Sequence, residues 1–208
     1  MVVSSRLSLL LEDVRIRLFA DLPSTLTYHG PHHTLDDVLP AVDRICSGEG
    51  VPPRDRDLVV AAALFHDIGF VESYNGNESI GARIAAEMLP GHGFSSAEIA
   101  RVLDIIMSTE MREVDGAWIQ VPGDDLLKKI LCDADLDNLG REDFFQVSDN
   151  LRQELVQQGK VFSDLDWYTR QILFVSQQKW FTSTQRADRE ATKQRNIASL
   201  RQELAKLL

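Results

Sequence analysis

Leu58-Val59-Val60-Ala61-Ala62-Ala63-Leu64-Phe65 is an unbroken run of eight apolar residues that ends directly in His66 and Asp67. Coiled as a helix, such a run makes more than two turns and is apolar on every side. It cannot lie on a surface, so other elements must surround it. Arg54-Asp55-Arg56-Asp57 precede it as a start signal and Gly69 follows as a stop, which predicts a buried helix over 54–68. An ionised carboxylate at the end of that helix is costly unless something pairs with it. A His–Asp pair capping the helix end answers that need in part. A divalent cation is the more effective partner, and imidazole beside carboxylate is a common ligand pair.

The rest of the chain reads as helix after helix. Residues 5–20 carry Leu7, Leu10, Leu11, Val14 and Leu18 at helical spacing, and Pro23-Ser24 break the pattern. A helix starting near Pro31 carries Leu35, Val38, Leu39, Val42 and Ile45 on one face and stops by Gly48. Residues 72–79 are turn-like, and a helix over 78–89 ends at Pro90-Gly91. Ser95 or Ser96 caps the next helix, with Glu98 placed for a capping box. Residues 111–123, with Gly116, Pro122 and Gly123, read as a loop. A helix over 124–140 closes at Gly140, two more follow near 141–158 and 164–178, and a long last helix puts Ile197, Leu200, Leu204 and Leu207 on one stripe. No alternating run makes a credible sheet, and no linker separates two domains. The expectation is an all-α, single-domain helical bundle over residues 1–208, with a motif core at about 26–140 and the helices of 141–208 packing on it.

Composition narrows the partners. With 32 acidic and 22 basic residues the net charge is −10, which repels phosphate polymers and argues against binding nucleic acid over a broad surface. A small phosphorylated substrate is compatible with that charge. The apolar patch Leu7–Leu11 is followed at once by Glu12, Asp13, Arg15 and Arg17, unlike a signal peptide. No segment approaches the roughly 18 apolar residues that span a bilayer, so no membrane partner is expected. Cys46 and Cys132 belong to no C-x-x-C pair and read as reduced, buried thiols of a cytoplasmic protein. His92, between two glycines, reads as an exposed loop histidine. Trp118, Trp167 and Trp180 read as packing anchors rather than a stacking platform for bases.

Four of the five histidines precede residue 70. His29, His32 and His33 lie in "YHGPHHT", residues 28–34; His66-Asp67 lie in "LFHDIGF", residues 64–70; Asp133, Asp135 and Asp137 lie in "CDADLDNLGREDF", residues 132–144. This order, H…HD…D, resembles the HD superfamily of metal-dependent phosphohydrolases, with "DADL-x-x-LG" similar to one bacterial subgroup; the resemblance runs over roughly residues 26–200. It implies a helical fold of the HD/phosphodiesterase type. It also implies one divalent cation, among Mn, Mg, Fe, Co, Ni and Zn, held by His33, His66, Asp67 and Asp135. Asp133 is the alternative to Asp135, since residues two apart on a helix face different ways; Asp135 stands in the family's "ADL". His32 against His33 is a matter of register. His29 matches the position that donates a proton to the leaving oxygen in related phosphodiesterases, and Asp67 is placed to orient the attacking water or accept its proton.

Two imidazoles and two carboxylates leave a cation with open positions for water and substrate. Lys128, Lys129, Arg83 and Arg101 are candidate phosphate-binding bases. Asn77 stands where the subgroup often has histidine, which disfavours a second ion, and Gly30 stands where asparagine is common. Glu72 and Glu78 are possible acid–base groups, Glu72 being better read as an exposed loop acid. No Glu-Asp pair follows His66-Asp67, so hydrolysis of guanosine tetraphosphate alarmones is not supported. The expected activity is hydrolysis of a phosphate mono- or diester of a small molecule, possibly a nucleotide. The alternatives are a non-catalytic sensor or ligand-binding module of the same fold and, more distantly, a di-iron oxygenase. Oligomeric state is not legible.

Overall fold

In the computed structural model, which describes residues 4–208, the chain runs α1 (Ser5–Asp21), α2 (Leu39–Gly48), α3 (Pro53–Phe65), α4 (Asn77–Met88), α5 (Ser96–Ile106), β1 (Met111–Val114), β2 (Ala117–Gln120), α6 (Leu126–Asp135), α7 (Phe144–Gln157), α8 (Asp164–Gln177) and α9 (Ser183–Ala205). The fold is all-α apart from one hairpin. Every residue of α3 from Val59 to Phe65 is buried, because α1, α2, α4, α5 and α6 all pack around it. Burying Leu64 and Phe65 completely stabilises by about 1.5–3 kcal/mol each, so α3 is the axis on which the other helices assemble. Glycine sets how closely α4 approaches. A Cβ on Gly81 would lie 2.3 Å from the Phe65 carbonyl oxygen, and one on Gly69 would lie 2.0 Å from that of Asn77.

The structure departs from the expected boundaries where the site lies. α3 stops at Phe65 rather than residue 68, and Ile68–Val71 form a 3-10 turn. Ahead of α2, His33–Val38 form a π turn in which the Leu39 N–H donates to the Thr34 carbonyl. Such a turn adds one residue to the helical repeat, so His33 can face inward together with Val38, Leu39 and Val42. The helix expected over 124–140 is α6 followed by a 3-10 turn, Asp137–Gly140.

Residues 111–123 contain a two-stranded antiparallel hairpin instead of a plain loop, with Met111 paired to Gln120 and Val114 to Ala117. Asp115 and Gly116 both take positive φ, 50° and 78°, the Asp-Gly pair that two-residue hairpin turns favour. His92 is not an exposed loop residue: it is half-buried, with Nε2 3.2 Å from Asp13 Oδ2 on α1. Trp167 and Trp180 are buried as expected, but Trp118 is exposed on β2. Cys46 and Cys132 are buried and free.

The last helix is held less by an apolar stripe than by polar anchors. Ile197 and Leu200 are buried, whereas Leu207 lies beyond α9 and is exposed. Asp137, buried in the 3-10 turn, accepts from Arg44 at 2.6 Å, from Arg189 at 2.8 and 3.0 Å, and from Gln185 at 2.9 Å. Lys193, 3% exposed, donates to the Gln178 carbonyl at 2.6 Å, and its ammonium sits 5.0 Å from the centre of the Trp180 ring. Leu139, Phe144, Val175, Trp180, Ile197 and Leu200 form a second apolar cluster beside the main core. No helix among the described residues is long and apolar enough to cross a membrane.

A candidate metal centre at the end of the buried helix

The end of α3, the π turn and the end of α6 meet at one point. His33, His66, Asp67 and Asp135 each offer one ligand atom there, all within 4.8 Å of one another. His33 Nε2 lies 3.1 Å from Asp135 Oδ1 and 3.4 Å from Asp67 Oδ2; His66 Nε2 lies 3.2 Å from Asp67 Oδ2 and 3.5 Å from Asp135 Oδ1. His32, the neighbour in register, is exposed.

The opposite atoms of three of these side chains are tied down. The buried Nδ1–H of His66 donates to the Ala63 carbonyl at 2.7 Å, which leaves Nε2 as a lone pair if the ring is neutral. Asn77 Nδ2 donates to Asp67 Oδ1 at 3.0 Å, and Gln120 Nε2 donates to Asp135 Oδ2 at 2.6 Å. His66 Nε2 and Asp67 Oδ2 are then left buried without a hydrogen-bond partner. Orphaned buried polar atoms are rare. Two of them facing one another in a ring of imidazoles and carboxylates are what a divalent cation would satisfy, so the residues present fit a metal ion.

The electrostatics agree. Burial disfavours a protonated His66, but Asp67 and Asp135 outweigh it and raise the imidazole well above its ordinary pKa. Burial raises Asp67 and Asp135, yet the neighbouring histidines hold both carboxyls below their usual value. The site attracts positive charge, whether as protons or as a cation.

Asp133 does not join this group. It is 1% exposed and turns toward the C-terminal segment, accepting from the Phe181 N–H at 2.9 Å, the Thr182 N–H at 2.8 Å and the Thr182 hydroxyl at 2.7 Å. It anchors the start of α9. Gly30 leaves little space for an asparagine, since a Cβ there would lie 2.9 Å from the Leu26 carbonyl oxygen. The candidate phosphate-binding bases are engaged elsewhere. Lys128 donates to Asp104 at 2.6 Å, Lys129 lies 3.7 Å from Asp124, Arg83 binds Glu72 and Glu87, and Arg101 binds Asp104 and Asp125. Glu72 is accordingly an exposed acid in an ion pair.

His29 stands beside the ligand group rather than in it, its ring centre 6.0 Å from that of His33. Its ring stacks on Phe70 with centres 4.4 Å apart. Nδ1 lies 2.5 Å from Glu154 Oε1. Glu154 was not legible as a site residue. It sits on α7, fully buried, and also accepts from the N–H groups of Tyr28 at 2.8 Å and His29 at 2.9 Å and from the Tyr74 hydroxyl at 2.9 Å. Burial lowers the His29 pKa, but Glu154 and the carboxylates beyond it raise it overall; burial raises Glu154, and its bonds to His29 lower it overall. Gln120, on β2, carries no such signal in the sequence either, since its segment reads as a loop.

His29, Asp67 and Asp135 open on a cavity of about 200 Å³, also lined by Asn77, Glu78 and residues of α7 and α8. Burial, and then Asp67, Asp135 and Glu110, raise the Glu78 carboxyl above its ordinary value.

No match was found among curated proteins or among solved structures. A family model described as HD domain matches residues 36–137. The matched segment begins just after His33 and closes just after Asp135, so it encloses His66, Asp67 and Asp135, the last three residues of the cluster. Family match and geometry thus meet on the same buried charges, and the chain belongs to the HD superfamily, whose members are mostly metal-dependent hydrolases.

Proposed function

We propose that the chain is a metal-dependent phosphohydrolase that cleaves a phosphate mono- or diester of a small molecule. The observation that carries this reading is the pair of orphaned, buried atoms, His66 Nε2 and Asp67 Oδ2, in a four-residue ligand set that opens on a cavity beside His29. His33, His66, Asp67 and Asp135 would hold one divalent ion. Bound there, the ion would acidify a coordinated water and draw charge from a phosphoryl oxygen. Asn77 supports a single-ion site, because its amide already donates to Asp67 and brings no imidazole.

The chain's own residues divide the remaining work. Asp67, held through Oδ1 by the Asn77 amide and facing the ion through Oδ2, would orient a coordinated water or take its proton. Glu154 fixes His29 through Nδ1 and keeps it protonated to higher pH. Nε2 is then the nitrogen that can pass a proton to the leaving oxygen. We place the protein in the cytoplasm, a reading supported by its buried free thiols, and its partner is a small phosphorylated molecule rather than a nucleic acid or a membrane.

A screen of phosphorylated metabolites with manganese, magnesium or cobalt, run beside Asp67→Ala, tests the reading. Activity that needs added metal and disappears in the variant is expected. Activity untouched by Asp67→Ala, or a purified protein that takes up no metal, refutes it.

A sensor or binding module of the same fold is the second reading. It draws on one observation: no lysine or arginine lines the cavity.

A further inference from the structure

The wall of the cavity contains polar groups that nothing in the protein uses. Asn138 comes from the 3-10 turn after α6, Ser148 from α7 and Gln171 from α8, and all three line the same cavity as Asp67 and Asp135. Each is more than nine-tenths buried, at 8%, 5% and 8% exposure. Among the described residues none of the three side chains has a hydrogen-bond partner, and Asn138 Oδ1 is wholly enclosed without one. Ser148 and Gln171 keep their polar atoms open to that space, and Asn138 leaves a buried carbonyl oxygen unpaired beside it, which folded proteins rarely do, so the three can serve as recognition groups for a ligand. Between them the wall is apolar, with Phe144, Leu151 and Phe174 among the lining residues.

The lining sets the chemistry of what it can bind. Carboxamides and a hydroxyl offer both donors and acceptors and carry no charge. The lining has no lysine or arginine to balance a second anionic group, and it already holds Asp67, Glu78 and Asp135. A volume of about 200 Å³ lies below the roughly 300–1,000 Å³ of common ligand pockets, so the ligand is compact.

Resting on the phosphohydrolase reading, we infer that the substrate carries one phosphoryl group on an uncharged, partly apolar body that presents hydrogen-bond donors and acceptors together, as a lactam ring does. Asn138, Ser148 and Gln171 select that body, and molecules with further phosphates or carboxylates are rejected.

Binding, read by calorimetry on the manganese-loaded full chain, tests this without turnover when the ester oxygen of each probe is replaced by methylene. The probes are (2-oxo-1,2-dihydropyridin-4-yl)methylphosphonate, whose lactam ring matches a benzene ring in size, the same compound carrying two further phosphates, and benzylphosphonate. The lactam phosphonate should bind at least tenfold more tightly than either of the others, about what one or two neutral hydrogen bonds provide. Gln171→Leu and Ser148→Ala should each remove most of its margin over benzylphosphonate while the variants keep a Tm at or above that of the parent, since no internal hydrogen bond is lost. Equal or tighter binding of the polyphosphorylated probe, a margin that survives both variants, or no binding of any probe overturns the inference. The reading beneath it fails on a different result: the predicted binding order holds, but neither 2-oxo-1,2-dihydropyridin-4-yl phosphate nor phenyl phosphate is hydrolysed.

Discussion

Replacing Glu154 with glutamine should destabilise the protein in a pH window set by two titrations. The carboxylate receives four hydrogen bonds, two from backbone N–H groups at Oε2 and two, from His29 and Tyr74, at Oε1. A glutamine placed with its oxygen at the backbone pair keeps those two as neutral bonds. Its NH2 then faces His29 and Tyr74, which can reverse roles, imidazole by changing tautomer and phenol by accepting. Nothing need be orphaned, so the loss is the charge assistance, roughly 1 kcal/mol for each of the four bonds. Relief from burying a charge offsets part of it, leaving a cost of about 2 kcal/mol. Glu154→Ala, which orphans the Tyr28 and His29 N–H groups, should cost about twice as much.

The sign of the pH dependence follows from the two shifts. Glu154 is lowered by folding, so its contribution is present above the unfolded carboxylate pKa, about 4.3, and fades as pH falls through the lower folded value. His29 is raised, so its contribution is full below about pH 6.5 and is lost as pH rises through the higher folded value. The difference between parent and Glu154→Gln should therefore be largest at about pH 4.5–6.5 and shrink on the alkaline side. Urea denaturation at pH 5.5 and pH 9 measures it. If His29 is the proton donor, the alkaline limb of activity should also move to lower pH in the variant, because the amide no longer stabilises the imidazolium. An equal destabilisation at both pH values, together with an unmoved activity limb, would refute the coupling.

The other predictions separate structure from chemistry. Asp133→Ala should cost about 2–4 kcal/mol in urea denaturation by orphaning two N–H groups, yet keep metal stoichiometry, whereas Asp135→Ala should abolish metal uptake measured by elemental analysis. Gln120→Leu frees Asp135 Oδ2 from its donor and should weaken metal affinity about 10–100-fold in competition with a chelator; unchanged affinity would remove Gln120 from the site. Gly81→Ala puts a Cβ against the Phe65 carbonyl and should destabilise by about 1–3 kcal/mol, seen as a lower Tm by circular dichroism.

What could be read in advance follows from how far each interaction reaches along the chain. The apolar run of α3 is visible because burial on all sides leaves a local pattern, and Ser95 with Glu98 is visible because a capping box is complete within four residues. The hairpin is also local: Asp115-Gly116 between Met111–Val114 and Ala117–Gln120 is a turn signal, but Gly and Pro at 116, 122 and 123 point equally to an irregular loop. The π turn at His33 was not legible, since helical spacing assumes a constant repeat and a wheel puts His33 opposite Leu35 and Leu39. Glu154 lies 125 residues from His29, and no spacing rule relates a carboxylate in the middle of an ordinary helix to a loop that far away. Nor do the lysines and arginines announce their partners, because a base two helices from the site and a base in an ion pair look alike in sequence.

The residues missed on the substrate side of the site share a location. The segment that matches the HD domain carries His66, Asp67 and Asp135, and its motifs were legible because a cation needs the same few atoms whatever the substrate is. Glu154, Ser148 and Gln171 lie beyond it, on α7 and α8. They do not touch the ligand atoms; they orient His29 or face the space where an organic group would sit. A helical wall can be changed there without moving the charges at the end of α3, because α7 and α8 belong to the second apolar cluster and not to the packing around α3. On the phosphohydrolase reading, the metal chemistry and the choice of substrate are therefore carried by different parts of the bundle, with Glu154 the residue of α7 that serves the reaction, through His29. Substitutions of Ser148 and Gln171 should alter which ester is bound, whereas substitutions around α3 should alter whether any is cleaved.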